Sequence, residues 1–273
     1  MTEPYKLSQG TIPLLVSMPH PGTELTSQVA AGLTPRGQRL EDTDWHIPQL
    51  YQVVADMGAS MLSANYSRYV VDLNRPSDDK PLYSTATTGL FTDIFFDGEP
   101  LFTSQGKPDQ LAKEKILKTI WQPYHDALTN ELARLRDKFG YVLLWDAHSI
   151  KSVVPRLFEG RLPDLNFGTA DGTSCDPTLS QMLLNLCKNL PLGIPQYSYV
   201  LNGRFKGGYI TRHYGNPEQH IHAVQLEMAQ CIYMDETTFS WLPTPAAQVQ
   251  KLLKALITAA LDWGKQRYHG SIE

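Results

Sequence analysis

Few cysteines, no long apolar run and no surplus of positive charge characterise this 273-residue chain. The three cysteines, Cys175, Cys187 and Cys231, have neither the even number nor the close spacing of a disulfide framework, and no C-x-x-C occurs. A reducing compartment is therefore expected. Lys and Arg total 24 against 28 Asp and Glu, a formal charge of -4, so no global basic field exists to hold phosphate backbones and nucleic acid is not an expected partner. The longest apolar runs fall far short of the ~20 residues that span a bilayer, and residues 1–10 are polar, without the apolar segment of a secretory signal. We expect a cytoplasmic protein with no membrane partner. Ser17, Ser67 and Ser149 lack a G-x-S-x-G elbow, and the glycines at 168 and 172 are not followed by the Gly-Lys-Ser/Thr of a phosphate loop. Neither an α/β-hydrolase triad nor ATP use is indicated.

What remains is an ordinary globular composition, with 42% hydrophobic and 19% charged residues and enough length for a substantial core. Residues 12–18 form a short apolar run closed by Pro19, as a buried strand would. Residues 60–73, rich in Tyr, Val and Leu, read as a second extended stretch ending at Asn74-Arg75-Pro76. Between 109 and 139 apolar residues recur at three and four positions, with Gly140 beyond the end, so a long helix is expected. Pro123 inside it calls for a kink or a junction of two helices. Residues 141–145 read as a fully buried strand, with Asp146-Ala147-His148-Ser149 as its polar tip. Further helices are expected at 179–190 and 245–268, and a strand at 222–228 whose alternation sets Glu227 opposite Val224, Leu226 and Met228. The stretches 76–108 and 150–175 look irregular. Without an internal repeat or linker, one domain over 1–273 is expected, an α/β fold with a mixed, largely parallel central sheet flanked by helices.

Polar residues that follow separate strands can converge on one crevice of such a sheet. His20, Asn74-Arg75 and His148 occupy such places. Catalytic zinc commonly takes two imidazoles and a carboxylate and leaves a fourth position open. His20 and His148 could supply the imidazoles, and Asp42, Asp44 or Glu24 the carboxylate. His46, His213, His220 and His222 are weaker candidates, better read as packing or surface residues. Glu227, a carboxylate on an otherwise apolar strand, belongs either on an exposed face or in a site.

Six runs in order carry a specific resemblance. They are Pro19-His20-Pro21-Gly22, Glu41-Asp42-Thr43-Asp44-Trp45-His46, the run from Ser67 to Pro76, Trp145-Asp146-Ala147-His148-Ser149, the glycine-rich run from Asn202 to Gly215, and Val224-Gln225-Leu226-Glu227. Together they resemble the N-formylglutamate deformylase family. The resemblance implies a fold like that of zinc carboxypeptidases and aspartoacylases, and hydrolysis of N-formyl-L-glutamate to formate and L-glutamate in bacterial histidine degradation. It implies a Zn2+ or similar divalent cofactor on His20 and His148, with Asp44 ahead of Asp42 and Glu24 as third ligand, and Glu227 as general base. It also implies Asn74 and Arg75 as a grip on a small N-acyl amino acid, with Arg68 as a second cation and Arg204, Lys206, Tyr209 and Arg212 contributing to substrate binding. Arginine suits that task because its planar fork meets a carboxylate through two hydrogen bonds. Deacylation of another N-acyl acidic amino acid, or binding without catalysis on the same fold, are the alternatives.

Overall fold

Alternation of apolar side chains across the strands builds the molecule. The computed structural model describes residues 2–81 and 87–270. Its strands are β1 (Tyr5–Ser8), β2 (Leu14–Met18), β3 (Ser60–Ala64), β4 (Val142–Ile150), β5 (Leu165–Gly168), β6 (Tyr199–Leu201) and β7 (Ile221–Ala229). They form one seven-stranded sheet in the order β1-β3-β2-β4-β7-β5-β6. The central pairings, β3 with β2, β2 with β4 and β4 with β7, are parallel, whereas β1 and β5 join antiparallel. The helices are α1 (Ser27–Gly32), α2 (Ile47–Leu50), α3 (Gln52–Ala55), α4 (Gln110–Ile116), α5 (Gln122–Phe139), α6 (Pro177–Lys188), α7 (Tyr209–Tyr214) and α8 (Pro243–His269). None is long and apolar enough to cross a membrane.

Two cores lie on the two faces. On one, Leu143, Trp145, Val224, Leu226 and Met228 pack with Leu252, Leu256 and Ile257 of α8 and Leu179 and Leu183 of α6. On the other, Leu15, Leu62, Val142, Leu144 and Ala223 pack with Tyr124, Leu128, Leu132 and Leu135 of α5. Each buried aliphatic side chain contributes roughly 1.5–3 kcal/mol. The first core alone therefore keeps β4 and β7 in the sheet where their other face turns polar.

The expected mixed sheet is present, and several local expectations are corrected. Asp146, Ala147, His148 and Ser149 do not follow β4 but lie inside it, since all nine residues of the strand are buried. The polar side chains find partners within the protein, so nothing ends the strand. The extended reading of 60–73 holds only for β3. Beyond Ala64 the register with β1 runs out, and a turn from Ser67 to Val70 follows, closed by a backbone bond of 2.8 Å. The junction expected near Pro123 is present: two helices are joined by a π turn at Leu117–Trp121, with Pro123 in the first turn of α5. Pro123 has no N–H for the carbonyl four residues back, and the wider turn absorbs that loss. The stretch read as irregular at 150–175 holds β5, too short to show a period; of 76–108, residues 82–86 lie outside the described residues.

Candidate active site

The second face of β4 and β7 is apolar at its start and polar at its end. Along β4 it runs Val142, Leu144, Asp146, His148, and along β7 Ala223, Gln225, Glu227, with Asp146 beside Gln225 and His148 beside Glu227. The chain leaving β2 brings His20 to the same place. The loop before α2 brings Asp44, fastened by its backbone N–H donating to the His20 carbonyl at 3.1 Å. Ligand atoms of His20, Asp44 and His148, all buried, lie within 4.8 Å of one another. His20 Nδ1 is 3.8 Å and His148 Nδ1 3.2 Å from Asp44 Oδ2. Asp42 turns away, its carboxylate accepting from the Phe96 N–H at 3.1 Å, and Glu24 lies by Tyr66 through a backbone bridge.

The far nitrogen of each imidazole is backed by a carboxylate. His20 Nε2 meets Asp72 Oδ1 at 2.7 Å, and His148 Nε2 meets Asp146 Oδ1 at 3.1 Å and the Asn74 amide at 3.0 Å. A carboxylate behind an imidazole fixes its tautomer and orients it toward a metal, as Asp72 does for His20. Asp72 is tied to Arg68 at 2.9 Å, and Asp146 accepts from the Thr211 hydroxyl at 3.0 Å. One of these supports lay within reach of the sequence pattern: Asp146 stands two residues before His148 on β4, and i, i+2 positions of a strand share a face.

The electrostatics call for a cation. Asp44, Asp72, Asp146 and Glu227 gather around two imidazoles, with the Arg68 guanidinium the cation that pairs with Asp44 and Asp72. Burial alone would lower the His148 pKa, but Asp146 and Asp44 outweigh it and hold it well above the ordinary value. Burial and Arg68 keep His20 below its ordinary value, against Asp72 and Asp44. Burial pushes Glu227 up to about 8, opposed by His148 and Arg68 and reinforced by Asp44 and Asp146. His20 Nδ1 and Asp44 Oδ1 are buried without a hydrogen-bond partner. Such orphans are costly unless a ligand takes them, and two imidazoles with a carboxylate are a donor set suited to a divalent metal.

A cavity opens beside these groups, walled by His20, Arg68, Asn74, Arg75, His148, Arg204, Phe96, Gln225 and Glu227 among others. Of the residues expected to bind substrate, Arg68, Asn74, Arg75 and Arg204 are on that wall. Lys206, Tyr209 and Arg212 lie outside that lining. Lys206 pairs with Asp171 at 3.0 Å near the surface, Tyr209 stacks on His213 and packs against Trp121, and the Arg212 Nε–H donates to the Gly207 carbonyl at 2.8 Å. Their run was read by its cations and ring, but what it delivers is backbone. A Cβ at Gly208 would collide with the Asn74 amide, and the Gly208 N–H donates to Gln225 Oε1 at 2.7 Å. Asn74 in turn supports the site: its Oδ1 accepts from the Ile210 N–H at 2.8 Å while its Nδ2 meets His148.

A profile of the N-formylglutamate amidohydrolase family matches residues 12–234. The chain is 56% identical over 269 residues to an N-formylglutamate deformylase of Pseudomonas aeruginosa, covering 98% of this chain and 100% of that one. It is 54% identical to one from Pseudomonas putida, covering 98% and 99%. Among solved structures, the N-formylglutamate amidohydrolase of Ralstonia eutropha JMP134 shares the fold with a TM-score of 0.82 at 22% identity, over 97% of this chain and 99% of that one. A protein of Agrobacterium tumefaciens does so at 0.70 and 16%, over 96% of each. The chain belongs to the N-formylglutamate amidohydrolase family.

Proposed function

We propose that this protein hydrolyses N-formyl-L-glutamate to formate and L-glutamate, with His20, Asp44 and His148 holding a divalent metal, zinc by its donor set, and Glu227 as general base. The observation that carries the reading is the unpartnered His20 Nδ1 facing Asp44 and His148 with Glu227 on the adjoining strand. Bound there, the metal supplies Lewis-acid polarisation of the formyl carbonyl and acidifies the attacking water. Glu227 takes a proton from that water as its oxygen joins the formyl carbon, then passes the proton to the amide nitrogen as the C–N bond breaks. Burial raises the basicity of Glu227, which helps the first transfer, and the protonated carboxyl is then the acid for the second. Arg68, Arg75 and Arg204 give the wall the positive charge a dianionic substrate needs. Asp72 and Asp146 hold the imidazoles in place.

The relatives' activity supports this assignment; a place in histidine degradation and a cytoplasmic setting are part of the same proposal. The one sheet that runs between both cores supports a single domain. Protein loaded with about one metal ion per chain, as one three-ligand site requires, should release glutamate from N-formyl-L-glutamate faster than from the N-acetyl or N-succinyl analogues. No release with metal restored would refute the reading. Preference for another acyl group would reassign the substrate.

A further inference from the structure

Gln225 is a polar cavity-wall side chain to which the reaction gives no task. It stands two residues before Glu227 on the same face of β7, beside Asp146 of β4, and only 3% of its surface is exposed. The Gly208 N–H donates to its Oε1 at 2.7 Å. A backbone N–H can donate only to the oxygen of the amide, so that bond fixes which end is which. Nε2, with two N–H donors, is the other end, and it makes no hydrogen bond among the described residues. Its neighbours on the wall are differently placed. Asn74 is spent on His148 and Ile210, Arg68 on Asp72, and Arg75 on the Thr88 and Asn74 carbonyls and the Thr87 hydroxyl. Gln225 lines the cavity, and with Oε1 held by Gly208 its Nε2 remains open to an acceptor brought by the ligand.

We propose that Gln225 is a specificity residue, whose Nε2 donates to the side-chain carboxylate of the N-formyl amino acid. The inference rests on the function proposed above and adds which atom of the substrate is read, and where. Length selects the side-chain carboxylate over the α-carboxylate. At ~3.3 Å per residue, Gln225 and Glu227 are about 6.6 Å apart along the strand. From the formyl carbon, attacked beside Glu227, the side-chain carboxylate carbon of N-formylglutamate is five bonds away, about 6.3 Å in an extended chain, whereas the α-carboxylate carbon is three bonds away, under ~4 Å. Arginines supply charge to the wall; the Gln225 amide adds a donor whose direction is set by Gly208.

Two variants and one series of substrates test this. Gln225→Glu keeps an acceptor for the Gly208 N–H and replaces the donor by an oxygen that repels a carboxylate. Its preference for N-formyl-L-glutamate over N-formyl-L-glutamine, read as the ratio of kcat/KM, should fall by about 100-fold, mostly through KM for the acid. Gln225→Met fills the space without a donor, and its preference for N-formyl-L-glutamate over N-formyl-L-methionine should fall about tenfold. Wild-type protein should favour N-formyl-L-glutamate over both the one-carbon-shorter aspartate and the one-carbon-longer aminoadipate, a measurement that needs no variant to fold. If wild type hydrolyses N-formyl-L-glutamate but the folded variants lose both substrates in equal proportion, Gln225 serves only to hold Gly208 and the proposal is overturned. Equal wild-type turnover of the three chain lengths overturns it as well. A wild-type protein inactive on N-formyl-L-glutamate with metal restored overturns the function itself, and this inference with it.

Discussion

Two pairs of buried histidines in this molecule differ in one respect. His125 and His222 have both ring nitrogens filled by neutral groups: His125 by the Tyr214 hydroxyl and the Leu73 carbonyl, each at 2.9 Å, and His222 by the Asp176 N–H at 3.1 Å and the Tyr268 hydroxyl at 2.5 Å. His20 and His148 each have one nitrogen backed by a carboxylate and the other turned toward Asp44. Burial alone therefore does not distinguish a ligand from a packing residue, since all four rings are at most 3% exposed. The distinction lies in carboxylates on both sides of the ring, with His20 Nδ1 left besides without a hydrogen-bond partner.

The sharpest way to break that contrast is to remove one ring from each pair. His20→Ala or His148→Ala should abolish metal retention, measured by elemental analysis after dialysis, and lower turnover by ~10³-fold or more, because metal-assisted polarisation is worth several kcal/mol. His222→Ala should keep both metal and turnover. Glu227→Gln comes next: a loss of ~10²–10⁴-fold in kcat is expected of a missing general base, with metal content unchanged. A binding protein without catalysis would be indifferent to that change. Smaller again is the effect of the backing groups. Asp72→Asn and Asp146→Asn should each weaken metal affinity about 10–100-fold, read by competition with a chelator; no weakening would mean that the carboxylates serve packing and not the metal.

How much of this could be read from the chain depended on whether the signal was local. Strands β2, β4 and β7 and helix α8 announce themselves because both faces, or one long stripe, are apolar over many residues. β5 and β6 have four and three residues and present no period to detect. His20 and His148, which meet at one place with Asp44, drew attention as polar residues beside apolar runs, although His148 lies inside β4 and not after it, and Glu227 as a charge set in an apolar alternation. Asp146 was on the page as part of a motif yet was read as loop, because a strand was assumed to stop at its first charged residue; Asn74 and Thr211 supply the partners that let it continue. The choice of Asp44 over Asp42 lay beyond periodicity. It depends on a backbone bond from Asp44 to the His20 carbonyl, between two loops whose separation in space no spacing in the sequence encodes. In the run that holds Lys206 and Arg212 the sequence drew attention to the cations, whereas the closeness of the Gly208 backbone to Asn74 and Gln225 has no signal in residue type beyond the glycine itself.

The mildest test concerns the packing pair and turns on pH. Burial drives His125 down to about 3 from the ordinary 6.5, with the Leu73 carbonyl opposing, and His222 down to about 4. Both rings are neutral in the folded protein, so below 6.5 the unfolded chain binds protons that the native state refuses. The stability tied to these neutral rings is then complete above about pH 6.5 and drains away as the pH falls toward 4 and 3, the unfolded state being the one that gains protons. His125→Phe removes that liability and also strands the Leu73 carbonyl and the Tyr214 hydroxyl, a loss of roughly 1–3 kcal/mol near pH 7. The variant should therefore melt below wild type at pH 7, and the gap should narrow as the pH is taken to 4.5, as followed by thermal denaturation across that range. A gap that stays constant or widens on acidification would mean that His125 is not held neutral by its surroundings, and would remove the contrast with His20 and His148 on that side.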